Sequence, residues 1–405
     1  MTSACVTSAY LVDATRTPFG RYRGALSQLR CDDLAALPLI ALQRRHAGLD
    51  WRLLDEVILG CANQAGEDNR NVARMAALLA GLPESVAAVT VNRLCASGLE
   101  AIGQGARAIA CGEADLVLAG GVESMTRAPY VMAKADNAFA REQQLVDTTL
   151  GWRFINPRLR DAHGVDSMMQ TAENLAREHH IARVDQDAYA LRSQQRAAHA
   201  QAAGWLAEEI TPAPVPCGDG TTEVAADEHL RTDSTLEALA ALKPLLGPGT
   251  SITAGNASGL NDGAAAVLLA SPAAIERHGL RPMARIIGMA SAGVAPRTMG
   301  IGPVPAIRKL LDRTGLQLSD FDRIEINEAF AAQALACTRA LGLADDADHV
   351  NANGGAIALG HPLGASGARL AMTAAYALRR QGEKRALVSL CVGVGQGLAL
   401  ALEAA

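Results

Sequence analysis

The chain has few aromatic residues, no excess of positive charge and no long uninterrupted apolar segment. Phenylalanine, tryptophan and tyrosine together supply 3% of its 405 residues, so small aliphatic side chains must fill most of the core. The net charge of −5 gives no global basic field, which argues against a nucleic-acid-binding protein. No apolar run reaches the roughly 18 residues that a membrane-spanning helix needs. We therefore expect neither nucleic acid nor a membrane as a partner.

The cysteines lack the spacing that a metal site or a disulfide scaffold requires. The chain has eight, at positions 5, 31, 61, 95, 111, 217, 337 and 391, and none belongs to a Cys-x-x-Cys pair. The spacing therefore predicts no metal site and no disulfide framework. Free thiols indicate a reducing compartment, and the N-terminus has no basic region followed by a sustained apolar core, as a secretory signal would have. We expect a cytoplasmic protein.

What the chain does have is a twice-repeated alternation of strand-like and helix-like segments. With 49% apolar and 20% charged residues it can form a substantial core, and its length favours two or more domains. Strands and helices alternate over residues 9–121 and again over 283–391, which predicts an α/β fold with a parallel or mixed sheet. The pattern of residues 54–61 returns in residues 321–328, which indicates an internal duplication. Residues 122–250 break the pattern and are typical of a loop domain.

Residues 89–103, VTVNRLCASGLEAIG, predict a strand that enters a helix through a cysteine. The apolar residues before Cys95 favour a buried strand, and Leu99, Ile102 and Ala106 follow at helical spacing. At the start of a helix, unpaired N–H groups and the helix dipole both favour thiolate over thiol. Cys95 is therefore a candidate nucleophile, and the alternative is a small residue of the core.

Two later segments resemble this arrangement. His361 lies in a glycine-rich loop directly before a predicted helix, and histidine is well suited to accept a thiol proton near neutral pH. Cys391 ends a predicted strand and precedes VGVGQG, where glycines allow backbone N–H groups to approach a ligand. Each residue alone has a structural interpretation, but two similar halves would bring all three to one interface.

Five segments together resemble the motifs of the thiolases and occur in the order typical of that family. They are residues 91–102, 120–126, 327–330, 354–367 and 391–397. The resemblance implies two duplicated βαβαβαββ halves in a five-layer αβαβα arrangement, with an inserted loop domain.

The same resemblance divides the chain into three parts. Residues 1–121 with 251–272 form the first half, 122–250 the loop domain that binds coenzyme A and substrate, and 273–405 the second half. Within the loop domain, the pattern of residues 171–203 predicts one long amphipathic helix.

For the reaction, the resemblance implies a two-stage acyl transfer. Cys95 attacks a 3-oxoacyl-CoA after activation by His361, and Cys391 protonates the carbanion of acetyl-CoA, or removes that proton in the Claisen direction. One oxyanion hole would consist of His361 and a water held by Asn327, and the other of the backbone N–H groups of Cys95 and Gly393. Without the resemblance, Asn327 could equally be a helix N-cap.

Coenzyme A is implied as a co-substrate, with no permanently bound cofactor. By their positions in the family motifs, Arg231 would meet the adenine nucleotide and Ser258 the pantetheine arm. Met168, Ala329 and Phe330 would provide apolar contacts. The family also implies a homotetramer built as a dimer of dimers.

The loop GWRFINP at residues 151–157 and the segment GVDSM at 164–168 resemble the thiolases that convert 3-oxoadipyl-CoA to succinyl-CoA and acetyl-CoA in aromatic-compound catabolism. Ser167 stands where acetoacetyl-CoA thiolases carry histidine, which argues against acetoacetyl-CoA as the preferred substrate. A distal carboxylate requires a donor or cation in the pocket, and Arg153 and His163 are the candidates.

Four alternatives stand beside this interpretation. A general acetyl-CoA acetyltransferase would differ only in the shape of its pocket. A non-catalytic acyl-CoA- or lipid-binding relative would not need Cys95 or His361, yet both are present. A decarboxylating ketosynthase would carry histidine or asparagine at Cys391, and a cysteine protease would leave Cys391 and the duplication unexplained.

Overall fold

The structure is a computed structural model that describes residues 7–405. Cys5 and the first six positions of the predicted 1–121 segment lie outside the described residues. The first half alternates strands and helices as its sequence pattern predicts. Its elements are β1 (Ala9–Arg16), β2 (Gly20–Arg21), α1 (Cys31–Arg45), β3 (Glu56–Gly60), α2 (Val72–Leu79), β4 (Ala87–Val91), α3 (Ser97–Ala110) and β5 (Leu116–Ser124).

The middle of the chain forms short hairpins and helices before it returns to the first half through one long strand. These elements are β6 (Tyr130–Met132), β7 (Leu145–Asp147), α4 (Pro157–His163), α5 (Met168–Glu178), α6 (Arg183–Ala202), α7 (Trp205–Glu209), β8 (Ala213–Cys217), β9 (Gly220–Val224), α8 (Leu236–Ala240) and β10 (Asn261–Ala270). The return is direct, because β10 pairs with both β1 and β5.

The second half repeats the order of the first. Its elements are α9 (Pro272–His278), β11 (Ala284–Gly293), α10 (Pro303–Thr314), β12 (Arg323–Ile326), α11 (Ala331–Ala340), α12 (Ala356–Leu359), α13 (Leu363–Gln381), β13 (Arg385–Val392) and β14 (Gln396–Ala404). The numbered boundaries of the three predicted parts stay a prediction.

The strand order makes the duplication visible. The sheet runs β4-β3-β5-β10-β1 through the first half and β11-β14-β13-β12 through the second, and β1 and β11 join the halves edge to edge. Val350 bridges to Ile324 at the position that β4 occupies in the first half. Parallel pairs (β3 with β4 and β5, β12 with β13) stand beside antiparallel ones in each half, so the predicted mixed sheet is confirmed.

Two helices form the central layer, and glycine lets them approach closely. α3 and α13 pack against each other between the halves of the sheet, while α1 and α2 cover one outer face and α10 the other. A Cβ atom at Gly98 would stand 2.5 Å from the carbonyl oxygen of Gly364. Only a residue without a side chain fits there. Because both helices begin at this contact, the loops that precede them converge.

Two local expectations are wrong in detail. The strand before Cys95 is β4. Within residues 7–405 it pairs with β3 alone, and its residues are half-exposed or exposed, so it is an edge strand and not a buried one. The predicted helix over 171–203 is two helices, α5 and α6, separated by a turn in which His180 has φ of 52°. Such a conformation interrupts an α-helix, and helical periodicity alone does not reveal it.

No helix within residues 7–405 is both long and apolar enough to cross a bilayer.

Candidate active site

Cys95 lies in a tight turn between β4 and α3. The turn is a short 3₁₀ segment, Leu94–Ala96, and Leu94 has φ of 45°, an uncommon conformation for a residue other than glycine. Ser97 fixes the turn, because its Oγ accepts a hydrogen bond from Arg93 N (2.9 Å) and donates one to Leu94 O (2.6 Å). Cys95 is 8% exposed and lines a cavity.

Cys391 lies opposite, near the end of β13. The hairpin that follows has φ of 63° at Val394 and 86° at Gly395, and the strained valine lines the same cavity as Cys95. The Arg93 guanidinium donates to Gln396 Oε1 at 2.8 Å and so links the Cys95 turn to this hairpin. Cys391 is fully buried in an apolar cluster that contains three of the predicted coenzyme A contacts, Met168, Ala329 and Phe330.

His361 is held by contacts that define its protonated nitrogen. Its backbone N donates to Asn261 Oδ1 at 2.9 Å, and its Nδ1 lies 2.6 Å from Ser366 Oγ. The Ser366 hydroxyl donates to Pro362 O at 2.8 Å, so it has a lone pair and not a proton to offer the imidazole. Nδ1 therefore carries the hydrogen. The lone pair of Nε2 faces Asn327, whose Nδ2 is 3.3 Å away.

Burial governs the ionisation of all three groups. It lowers the pKa of His361 to about 3, with the positive charge of Arg369 as a smaller cause, so the imidazole is neutral near pH 7. Burial likewise raises the pKa of Cys95 to about 11, although hydrogen bonds from the backbone N–H groups of Gly393 and Cys95 oppose the shift. The pKa of Cys391 is raised well above its ordinary value, first by burial and then by the nearby charge of Cys95.

The expectation that the helix start favours a Cys95 thiolate is therefore wrong for the free protein. The backbone N–H groups act in the predicted direction, but removal of the sulfur from water has the larger effect. At neutral pH the resting pair is a thiol and a neutral imidazole, so formation of a thiolate requires a base.

The cavity above Cys95 has a volume of about 460 Å³. Its wall is formed by the Cys95 turn, the β13–β14 hairpin, the end of β5 and the loop over residues 148–154. The lining residues are Ala62, Asn63, Leu94, Cys95, Glu123, Ser124, Met125, Ala128, Thr148, Thr149, Leu150, Gly151, Trp152, Arg153, Phe154, Asp166, Ser167, Met168, Leu363, Gly393 and Val394. In the described part of the chain, Arg153 is the only lysine, arginine or histidine of this lining.

The predicted substrate and coenzyme A residues lie in different surroundings. The Arg153 guanidinium donates to Asn63 Oδ1 at 3.0 Å, whereas His163 is exposed at the end of α4 and does not line the cavity. Ser258 is half-buried and bonds Ala329 O through both its N and its Oγ, each at 3.0 Å. Arg231 is exposed, and its backbone N donates to Gln194 Oε1 at 2.9 Å.

Sequence reasoning missed the part that Glu123 plays in this site. Its buried carboxylate accepts hydrogen bonds from Ala62 N and Asn63 N at 3.0 Å and from Gly364 N at 2.8 Å. Burial raises its pKa to about 7 against the effect of these bonds. It thus ties the loop after β3 to the start of α13, three residues beyond His361. The motif GGVES gave the only signal, a carboxylate two residues after a pair of glycines near the end of a strand.

The duplicated fold and the two thiols with a histidine at the interface of its halves define a class, and comparison with known proteins identifies it. Residues 9–273 match the family model for the thiolase N-terminal domain and residues 280–404 that for the thiolase C-terminal domain. The chain therefore belongs to the thiolase family.

Within the family, the chain is 65% identical over 394 residues to the beta-ketoadipyl-CoA thiolase of Pseudomonas aeruginosa, covering 97% of this chain and 98% of that protein. It is 60% identical over 396 residues to the 3-oxoadipyl-CoA/3-oxo-5,6-dehydrosuberyl-CoA thiolase of Escherichia coli, covering 98% and 99%. The crystal structure of human mitochondrial 3-ketoacyl-CoA thiolase in complex with CoA superposes with a TM-score of 0.91 at 42% identity, covering 99% of each chain.

Proposed function

We propose that this thiolase cleaves 3-oxoadipyl-CoA with coenzyme A to give succinyl-CoA and acetyl-CoA, in the catabolism of aromatic compounds. The observation that carries the proposal is Arg153, the single cation among the described residues that line the Cys95 cavity. A substrate with a distal carboxylate needs such a group. The names of the 65% and 60% identical relatives support the same substrate.

In the first half-reaction, Cys95 is the nucleophile. His361 Nε2 takes the thiol proton, and the sulfur attacks the 3-keto carbon of the substrate. The bond between C2 and C3 then breaks, which leaves a succinyl group on Cys95 and the enolate of acetyl-CoA. Cys391 gives its proton to C2 of that enolate. A neutral imidazole with its lone pair on Nε2 suits the first of these steps.

In the second half-reaction, coenzyme A takes the acyl group. Cys391, now deprotonated, accepts the proton of the coenzyme A thiol, and the new thiolate attacks the thioester carbonyl on Cys95. Succinyl-CoA leaves and the Cys95 sulfur takes its proton back from His361. Backbone N–H groups of Cys95 and Gly393 would stabilise one developing oxyanion, and His361 with a water on Asn327 the other.

For coenzyme A, we propose Arg231 as the contact of the nucleotide and Ser258 with Met168, Ala329 and Phe330 as contacts of the pantetheine arm. The exposed position of Arg231 suits a charge that meets phosphate in solvent. The apolar residues suit the arm because they form one cluster with Cys391. That continuity would lead the thiol of coenzyme A toward both cysteines.

A homotetramer and a cytoplasmic location complete the proposal. Apolar side chains are exposed on the hairpin of β6 and β7, where Tyr130 is 65%, Met132 59% and Leu145 66% exposed, and such patches favour protein contacts. The seven described cysteines are all free, which suits a reducing compartment.

The test is thiolysis of 3-oxoadipyl-CoA beside acetoacetyl-CoA, following substrate loss and acetyl-CoA formation. We expect the wild-type enzyme to prefer 3-oxoadipyl-CoA. Arg153→Ala should lower kcat/KM for 3-oxoadipyl-CoA by roughly 10- to 100-fold and kcat/KM for acetoacetyl-CoA by less. Arg158→Ala, an exposed arginine of the same region, is the matched control. Equal losses on both substrates would remove Arg153 from this role. A wild-type preference for acetoacetyl-CoA would favour the general acetyltransferase, and no cleavage of either would favour a binding protein.

A further inference from the structure

The side chain that holds Arg153 is neutral, in contrast to the partners of other arginines around the cavity. Arg127, which precedes the lining residue Ala128, pairs with Glu67 at 2.5 Å. Arg297 pairs at 2.8 Å with Asp166, itself a lining residue. A carboxylate beside a guanidinium neutralises most of the field that a second anion would feel.

The partner of Arg153 is the amide of Asn63, and its orientation is fixed. Asn63 Nδ2 donates to both the carbonyl oxygen and the Oγ1 of Thr148, each at 3.1 Å, and a carbonyl can only accept. The amide oxygen must therefore face Arg153, whose guanidinium can only donate, and it receives the 3.0 Å bond from Nη2. No other orientation of the amide satisfies both neighbours.

Asn63 is itself anchored to the framework of the site. Its backbone N donates to the buried carboxylate of Glu123, which also holds the start of α13. The side chain then reaches across to Thr148 and Arg153 in the loop that covers the cavity. The Asn63 amide thus joins the first half to the loop that carries the cation, and contributes to the position of Arg153 relative to Cys95.

We infer that Asn63 is a specificity-determining residue, which positions Arg153 through a neutral amide so that the full guanidinium charge serves the distal carboxylate of the substrate. This rests on the proposed function, since it assumes that Arg153 receives that carboxylate. One of the guanidinium N–H groups is used by Asn63, and the planar fork of the others can bind a carboxylate through two hydrogen bonds. The amide fixes the geometry and leaves the charge unchanged.

The test replaces the amide by a carboxylate of nearly the same shape. In Asn63→Asp the new carboxylate would pair with Arg153 and repel an anionic substrate tail. Kinetics are measured with 3-oxoadipyl-CoA and with 3-oxohexanoyl-CoA, which has the same chain length but no distal carboxylate. We expect kcat/KM for 3-oxoadipyl-CoA to fall roughly 10- to 100-fold, mainly through KM, and to fall far less for 3-oxohexanoyl-CoA.

Control variants distinguish the effect of the new charge at position 63 from the loss of the Asn63 anchor and from damage to the fold. Asn69→Asp adds the same charge at an exposed site on the same loop and should leave the ratio of the two substrates within about two-fold of wild type. Asn63→Ala removes the anchor without adding charge and should cause a smaller selective loss. Thermal unfolding of each variant identifies any that fail to fold.

The double variant Asn63→Asp with Arg153→Ala closes a thermodynamic cycle. If Asn63 acts through Arg153, Asn63→Asp causes much less additional selective loss when Arg153 is absent. If both Asn63 variants lose activity equally on the two substrates but Arg153→Ala is still selective, the inference about Asn63 is overturned and the role of Arg153 stands. A non-selective Arg153→Ala, or a wild-type enzyme that does not prefer 3-oxoadipyl-CoA, would overturn the proposed function and this inference with it.

Discussion

The hydroxyl of Ser366 is expected to control the reactivity of His361 without contacting the substrate. It accepts the Nδ1 hydrogen of the imidazole at 2.6 Å and donates its own hydrogen to Pro362 O, which leaves Nε2 as the basic nitrogen. In Ser366→Ala the Nδ1–H group would lose its acceptor at a position where His361 is 5% exposed. A buried donor without a partner costs about 1–3 kcal/mol.

That cost acts on the equilibrium between the two neutral tautomers of the ring. A penalty of 1–3 kcal/mol on the reactive tautomer corresponds to a loss of roughly 5- to 150-fold in the rate of Cys95 acylation. The rate is measured by single-turnover mixing of enzyme with 3-oxoadipyl-CoA, which separates acylation from product release. Acylation within about two-fold of wild type would refute the tautomer assignment.

The control for this experiment is Ser271→Ala. Ser271 is also a buried serine, but its Oγ bonds Asp115 and caps α9 through Ala274 N, and neither partner is one of the proposed active-site residues. We expect it to lower stability by about 1 kcal/mol, as the loss of an N-cap usually does, and to leave acylation unchanged. A comparable loss of acylation in both variants would show that Ser366→Ala acts through stability.

Two further predictions concern pH and packing. The folded pKa of His361 lies below its ordinary value of 6.5, at about 3, so the unfolded chain binds the additional proton in this range and stability falls as pH decreases from 6.5 to 3. His361→Asn should reduce this loss of stability by up to about 5 kcal/mol. The measurement is urea unfolding at several pH values, and a plot of unfolding free energy against pH with the same slope as wild type would contradict the prediction. Gly98→Ala should destabilise the protein by about 1–3 kcal/mol and lower the rate of thiolysis, because its Cβ would meet Gly364 O at 2.5 Å. The control is Gly48→Ala, since Gly48 has open space around it. Unfolding curves that are the same for the two variants would count against the packing argument.

The fold could be predicted from the sequence to a large extent, and the reason is local. In each half, the strands and helices correspond to separate apolar segments of the sequence with turns between them. The similar patterns of residues 54–61 and 321–328 therefore indicate the duplication. The exposure of β4 could not be predicted, because its mostly small and β-branched residues, AAVTV, fit a buried strand as well as an edge strand. Which strands are neighbours is a property of the whole sheet.

The residues of the candidate site were predictable by type and place in the motifs, but their ionisation was not. Cys95 lies at the start of a helix as the pattern indicates, and the pattern favours thiolate. Its pKa depends on how much water the assembled cavity removes, which requires the loop over residues 148–154 and the hairpin after Cys391. Neither segment is near Cys95 in the sequence. The contacts of Asn63 and Glu123 were missed for the same reason.

Burial of the two thiols also explains how one site can use the same functional group for two tasks. Both pKa values are raised, and each sulfur accepts a hydrogen bond from its own backbone. Cys95 has in addition the N–H group of Gly393 directed at its sulfur, while Cys391 lies in an apolar cluster and feels the charge of Cys95. The thiol that is easier to ionise suits nucleophilic attack, and the thiol that holds its proton more tightly suits donation to a carbanion. Because a charge on either sulfur disfavours a charge on the other, proton transfer would alternate between them through the cycle. The close approach of the two halves, which the glycines of α3 and α13 permit, is thus the structural condition for the proposed acid–base chemistry.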